Sequence, residues 1–184
     1  ENGSASSVGL TKSGSGMLLL SGSSSYTGPT LVSAGVLDVG HSNGLGVSTL
    51  TTVSSGAVLQ LRGGISVGAL LLRLTGTGVS SGGALRNVSG NNSWGGVVTL
   101  LSSTTRINSD AGVLTLGGAS SISSSNIGLQ VGGGGSVVVS GVMSVGTGTL
   151  YKDGLGSLVL NGVNVYSGVT TVVNGMIEVG NNSG

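Results

Sequence analysis

The chain has no cysteine and no phenylalanine, one proline, one histidine, and only 6% charged residues among 184. Each shortage removes a class of structure or chemistry. Without cysteine there are no disulfide staples, no thiolate nucleophiles and no cysteine-ligated metal sites, and the lack accords with export across an envelope. A net charge of +1, with Lys12, Arg62, Arg73, Arg86, Arg106 and Lys152 scattered singly, gives nucleic acid or an anionic surface almost nothing to be steered by. The aromatics are Trp94, Tyr26, Tyr151 and Tyr166, too few for a base-stacking platform. Nucleic acid is therefore not an expected partner. Apolar runs such as Ala69–Leu72 are too short to cross a bilayer as a helix, so membrane insertion by this segment is not expected. The chain opens at Glu1 with neither a basic n-region nor an apolar h-region, which implies a leader already removed or a piece of a longer chain.

What is abundant is glycine, 39 residues, alternating with dense Val/Leu/Ile runs. A disordered linker would lack those runs, and a collagen chain would show a three-residue glycine period and far more proline. Length allows one domain, read as a single unit over 1–184.

The chain also repeats itself. Residues 10–40, LTKSGSGMLLLSGSSSYTGPTLVSAGVLDVG, return without a gap as residues 150–180, LYKDGLGSLVLNGVNVYSGVTTVVNGMIEVG. Leu10, Lys12, Gly14, Gly16, Leu18, Leu20, Gly22, Tyr26, Gly28, Thr30, Val32, Gly35, Val39 and Gly40 are kept, and Asp38 is matched by Glu178. Such self-similarity is the mark of a repeat architecture. Residues 41–149 between the copies are read as filler coils. They carry strand-sized pieces at Ser48–Val53, Ala57–Leu61, Ala69–Leu74, Ala84–Val88, Val97–Leu101, Thr105–Ile107, Val113–Leu116, Ser120–Ser123, Ile127–Val131 and Ser136–Val139, each closed by Gly, Ser or Asn. The glycine-free window Val97–Ala111 is too rich in Val, Thr, Ser and Asn to be a helix. Short strands at this spacing fit an antiparallel sandwich or barrel, or a solenoid. Few hairpin dipeptides and a long repeat favour the solenoid, a parallel β-helix with Val, Leu, Ile and Ala inside and Gly or Asn at its corners. Leu18, Leu20, Val32 and Val39 are expected on the inward stripe, and Gly14, Gly16, Gly22, Gly28, Gly35 and Gly40 at corners.

The ordered spacing Leu-Thr-Lys-x-Gly-x-Gly-x-Leu-x-Leu-x-Gly, then Tyr-Thr-Gly-x-Thr and Gly-x-Leu-x-Val-Gly, resembles the autotransporter-associated β-strand repeat of passenger regions in secreted bacterial proteins. The second copy departs at Tyr151 and Ser167. The filler at 83–96 and 105–118 is also similar to text between such repeats in long surface proteins. The resemblance implies a right-handed parallel β-helix outside a Gram-negative-type cell, and it implies nothing specific about activity. The C-terminal membrane barrel usual in such proteins is not in this sequence.

Glycoside hydrolysis needs two carboxylates facing each other, and the acids are Glu1, Asp38, Asp110, Asp153 and Glu178. Asp38 and Glu178 share one repeat position, which favours a structural or surface role. His41 has no second His or Cys to complete a transition-metal site. Gly132–Gly135 lacks the aspartate of a calcium-binding β-roll. Gly40–Gly44, GHSNG, matches a nucleophile elbow with Ser42 as nucleophile, but no helix signal follows it and its one histidine is the adjacent residue. Lys12 and Lys152 are expected to pair with an acid or to cover a coil edge with their stems, and Trp94 to plug a corner, half-buried. The sequons at Asn2, Asn87, Asn91 and Asn181 read as accidents of composition.

No catalytic, cofactor or metal residue is expected. The expected function is that of a non-enzymatic building block of an extracellular fibre, stalk or surface layer, with itself, stacked head to tail, or further repeat copies as partner. The alternative is an autotransporter adhesin passenger that acts as a spacer or meets cell-surface glycans or proteins.

Overall fold

The computed structural model describes residues 7–102 and 104–180. Runs of Val, Leu, Ile and Thr, which suit a pleated half-buried surface, form short strands closed by Gly, Ser or Asn. In chain order these are β1 (Leu10–Lys12), β2 (Met17–Leu20), β3 (Thr30–Val32), β4 (Val36–Val39), β5 (Leu50–Val53), β6 (Val58–Arg62), β7 (Ser66–Val67), β8 (Leu71–Leu74), β9 (Leu85–Ser89), β10 (Asn92–Trp94) and β11 (Val98–Leu100). There follow β12 (Thr105–Ser109), β13 (Val113–Leu116), β14 (Ser120–Ser123), β15 (Leu129–Gly132), β16 (Ser136–Val139), β17 (Val142–Gly146), β18 (Leu150–Lys152), β19 (Ser157–Leu160), β20 (Val165–Tyr166), β21 (Thr170–Val172) and β22 (Met176–Val179). A 3-10 turn at Val79–Ser81 is the one helical element among the described residues.

The strands wind into a β-solenoid with three faces and about eight turns. Face 1 stacks β1-β3-β5-β8-β11-β14-β17-β20, face 2 stacks β2-β4-β6-β9-β12-β15-β18-β21, and face 3 stacks β7-β10-β13-β16-β19-β22. Pairing is parallel throughout the described residues. The solenoid expected from the sequence is thus the fold, and the sandwich is not. The first two turns have strands on faces 1 and 2 only. Their third side is irregular chain, 40–49 in the second turn, from which Leu45 is buried in the interior.

The interior is built of columns. On face 2, Leu37, Leu59, Leu85, Ile107 and Val131 lie one above the next, and Lys152 continues the same column. On face 1, Lys12 begins the column Val32, Val53, Leu74 and Leu100. Each fully buried aliphatic side chain contributes about 1.5–3 kcal/mol, and each touches only its own turn and the adjacent ones, so stability accumulates by stacking. Val32 and Val39 are inside as expected, and Leu18 and Leu20 pack against the core from the first turn.

Three findings differ from the sequence reading. Trp94 is wholly buried within strand β10, not half-buried at a corner, and its Nε1 donates to the carbonyl of Leu70 at 2.9 Å. The six glycines assigned to corners do lie between strands, but only Gly14 and Gly35 of them adopt the left-handed conformation that favours glycine, at φ 73° and 68°. Most informative, the second repeat copy does not reproduce the placement of the first. Leu10–Lys12 and Met17–Leu20 lie on faces 1 and 2, whereas Leu150–Lys152 and Ser157–Leu160 lie on faces 2 and 3. The motif is carried up the axis and turned by one face.

Candidate functional site

The repeat's own corner is the most specific arrangement in the molecule, because it is built twice from the same residues. In strand LTK the alternation that turns Leu10 inward also turns Lys12 inward, and Leu150 and Lys152 behave alike. Both lysines are buried. Lys12 Nζ donates to the carbonyls of Ser13 (2.9 Å), Gly14 (2.8 Å) and Ala34 (3.1 Å). Lys152 Nζ donates to those of Asp153 (2.6 Å), Gly154 (2.9 Å) and Asn174 (3.4 Å). Each lysine thereby ties its own corner to the corner of the next turn. The expectation is that these lysines pair with an acid or cover a coil edge with their stems; instead each Nζ bonds backbone carbonyls, and a cation inside an apolar column is tolerated because its three protons meet three carbonyl oxygens. Burial pushes the Lys152 amine below its ordinary value and nearby Arg106 adds to that, while Asp153 opposes it.

A second device is shared by the copies. The Tyr26 hydroxyl lies 2.8 Å from Thr30 Oγ1, and that of Tyr166 lies 3.1 Å from Thr170 Oγ1. Burial raises the Tyr26 phenol above its ordinary value, partly offset by the bond to Thr30.

The scarce charges are mostly spent on one face. Asp38, Gln60, Arg86 and Asn108 are successive residues of one outward column on face 2. Asp38 is buried beneath Arg62, whose Nε donates to Asp38 Oδ1 at 2.9 Å. Arg86 pairs with Asp110 at 2.7 Å, and Asn108 donates to Asp110 at 2.6 Å. Arg106 Nη1 and Nη2 reach Asp153 Oδ2 and Oδ1 at 2.8 and 2.6 Å. These hydrogen bonds, with the Arg106 charge, hold the Asp153 carboxyl below the usual carboxylate range against the effect of its burial. Each of these three carboxylates is committed to an arginine. Glu178, the counterpart of Asp38, is exposed on face 3.

The remaining candidates are placed as follows. His41 Nδ1 accepts the backbone N–H of Asn43 at 3.1 Å, and Ser42 Oγ accepts that of Ser66 at 3.1 Å. Turns and bends, not a helix, follow Ser42, so the elbow's context is missing. Among the described residues no three His, Cys, Asp or Glu side chains gather to hold a metal ion. Asn87 is buried and donates to Gly90, Ser109 and Ala111, which bars its sequon from an outside enzyme. Glu1, Asn2 and Asn181 lie outside the described residues, as do most of the two end segments. A hollow of about 340 Å³ lined by Leu100, Leu101 and Ile127 with the hydroxyl residues Thr99, Ser123, Ser124 and Ser125 is mainly apolar and carries no charged side chain.

Sequence reasoning missed the buried lysines and the buried Asn87–Asn92–Ser109 network, in which Asn92 Nδ2 donates to Asn87 and Asn92 Oδ1 accepts the N–H of Ile65 at 2.7 Å. The signal was present in the alternation, since Lys12 and Asn87 sit two residues after an inward leucine.

The passenger-associated-transport-repeat model matches residues 10–39 and 150–179, the two segments that carry the corner lysine. Neither the curated proteins nor the solved structures contain a significant match to this chain.

Proposed function

We propose that this chain is a non-enzymatic structural module of the bacterial cell exterior, a rigid β-solenoid building block that extends by stacking end to end. The observation that carries the reading is the corner lysine, repeated in both copies and bonded to carbonyls of two successive turns. It is a joint between turns, and chemistry on a substrate has no use for it. The match to a passenger-associated repeat supports a secreted or surface-exposed setting. Electron microscopy of the purified chain tests this directly: filaments or stacked rods are expected, and monodisperse particles at all concentrations overturn the stacking role.

The same repeat match favours a second reading, in which the segment is an autotransporter passenger that spaces or presents an adhesive surface. Binding to cell-surface glycans or proteins by the isolated rod, with no self-association, would select it.

A further inference from the structure

The lysines and arginines of this chain all have a partner inside the rod, with one exception. Arg62, Arg86 and Arg106 each face a carboxylate, and Lys12 and Lys152 are bonded to backbone carbonyls. Arg73 is the exception. It points outward from β8 on face 1 and is exposed, and among the described residues its guanidinium meets neither an acid nor another acceptor.

The residues stacked on Arg73 are also without partners. Thr99, Ser123 and Ser144 follow it in register along the same outward column. Hydroxyls nearby that hold a corner together are bonded within the rod: Ser121 Oγ donates to the Leu116 carbonyl at 3.1 Å, Ser124 Oγ to that of Ile127 at 2.9 Å, and Ser102 Oγ accepts the N–H of Gly76 at 2.8 Å. The hydroxyls of Thr99, Ser123, Ser125 and Ser144 make no such bond among the described residues. They are free to meet something outside.

The hollow of about 340 Å³ opens beside this column, and Thr99 and Ser123 belong to both. Its volume falls at the small end of the roughly 300–1,000 Å³ typical of ligand pockets, and a mainly apolar lining with a few free polar groups is their usual make-up. Leu101, 47% exposed, and Ile127 give it an apolar wall. Arg73 stands on its rim, one strand from Thr99 at a spacing of ~4.8 Å. A sugar ring suits such a place, because its C–H face packs on aliphatic side chains while its hydroxyls exchange hydrogen bonds with threonine and serine. The planar fork of an unpaired arginine takes a carboxylate by two parallel bonds. The strands that carry these residues, β8, β11 and β14, have turns stacked on both sides, so the site belongs to the body of the rod.

We propose that this hollow binds a carboxylated sugar residue, a hexuronate or sialate unit of a cell-surface glycan, with Arg73 on the carboxylate and Thr99, Ser123 and Ser125 on the ring hydroxyls. The inference rests on the adhesive-passenger reading and gives it a ligand class.

NMR titration of the purified chain tests it, with short oligomers of glucuronate, galacturonate and sialate as probes. Two controls separate the parts of the ligand: cellotetraose has a sugar backbone without carboxylates, and tetraglutamate has carboxylates without sugar. At least one acidic oligomer is expected to bind, and both controls more weakly. Arg73→Gln should weaken the acidic oligomer about tenfold or more, as loss of a charged hydrogen bond does, and Ser123→Leu, which fills the hollow from outside, should abolish binding. Both side chains point outward, so the thermal melt of the parent should be kept. Equal affinity for cellotetraose overturns the role of Arg73, equal affinity for tetraglutamate overturns the sugar, and binding indifferent to both variants overturns the site. If no acidic oligomer binds, the site is overturned. The adhesive reading outlives that result where the parent chain and Arg73→Gln bind whole cells equally well, and falls with the site where neither binds.

Discussion

Arg106 and Asp153 belong to turns two apart, and their paired hydrogen bonds at 2.8 and 2.6 Å pass directly over Gly132 of the turn between. A Cβ on Gly132 would strike Arg106 Nη2 and Asp153 Oδ1 themselves. Gly132→Ala is accordingly expected to push the pair apart and to lower stability by about 1–3 kcal/mol, the usual cost of overpacking, measured by urea unfolding at neutral pH.

Acid sensitivity follows from the same pair. The folded Asp153 carboxyl titrates below its unfolded value of 3.8, so the unfolded chain binds the proton first. The stability contributed by the pair is complete above that value and is lost as pH falls through the depressed folded value. Thermal melts from pH 6 down to about pH 2 should show a shallower acid decline for Asp153→Asn than for the parent chain, and an equal decline would remove this account.

Lys152→Met tests the corner joint. Three carbonyls lose their donor, an expected loss of about 1–3 kcal/mol by denaturant unfolding at pH 7. The pH dependence has a definite sign. The folded amine titrates below 10.5, so in the window beneath 10.5 the unfolded chain holds a proton that the folded chain has released, and the parent gains stability as pH rises through it. The gap between parent and Lys152→Met should widen on the alkaline side.

Trp94 is the only tryptophan and is fully enclosed, so its fluorescence reports the middle of the rod. Trp94→Ala should cost about 3–5 kcal/mol, and Trp94→Phe less, the difference including the hydrogen bond to Leu70. Unfolding of the parent should be accompanied by a red shift of the emission.

Thr30→Val should raise the Tyr26 phenol still further, because the Thr30 bond is the influence that lowers it. Ultraviolet titration should show a late-ionising component that moves later in Thr30→Val and disappears in Tyr26→Phe.

Much of the fold was legible because a solenoid writes itself locally. Met17–Leu20, Val113–Leu116 and Ser136–Val139 are strands by composition alone, and the reappearance of residues 10–40 at 150–180 announced a stacked unit. What was not legible depends on register. Partners in adjacent turns lie 19 residues apart at Met17 and Val36 but 27 apart at Ser66 and Ser93. With a variable turn length, no sequence rule could bring Arg106 to Asp153, stack Asp38 beside Gln60, or reveal the one-face displacement of the second repeat. Lys12 and Lys152 are a different case. Their inward direction was written in the alternation with Leu10 and Leu150, and the habit of placing lysine at a surface concealed it.

The displacement of the repeat has a consequence for anything that lies alongside the rod. Asp38 stands on face 2 beneath an arginine, while Glu178, from the corresponding place in the motif, stands bare on face 3. A neighbour resting against one side of the rod meets the two copies from different angles and in different electrical dress. The duplicated sequence thus gives the rod two distinct compass headings, where a straight repetition would have given the same heading twice.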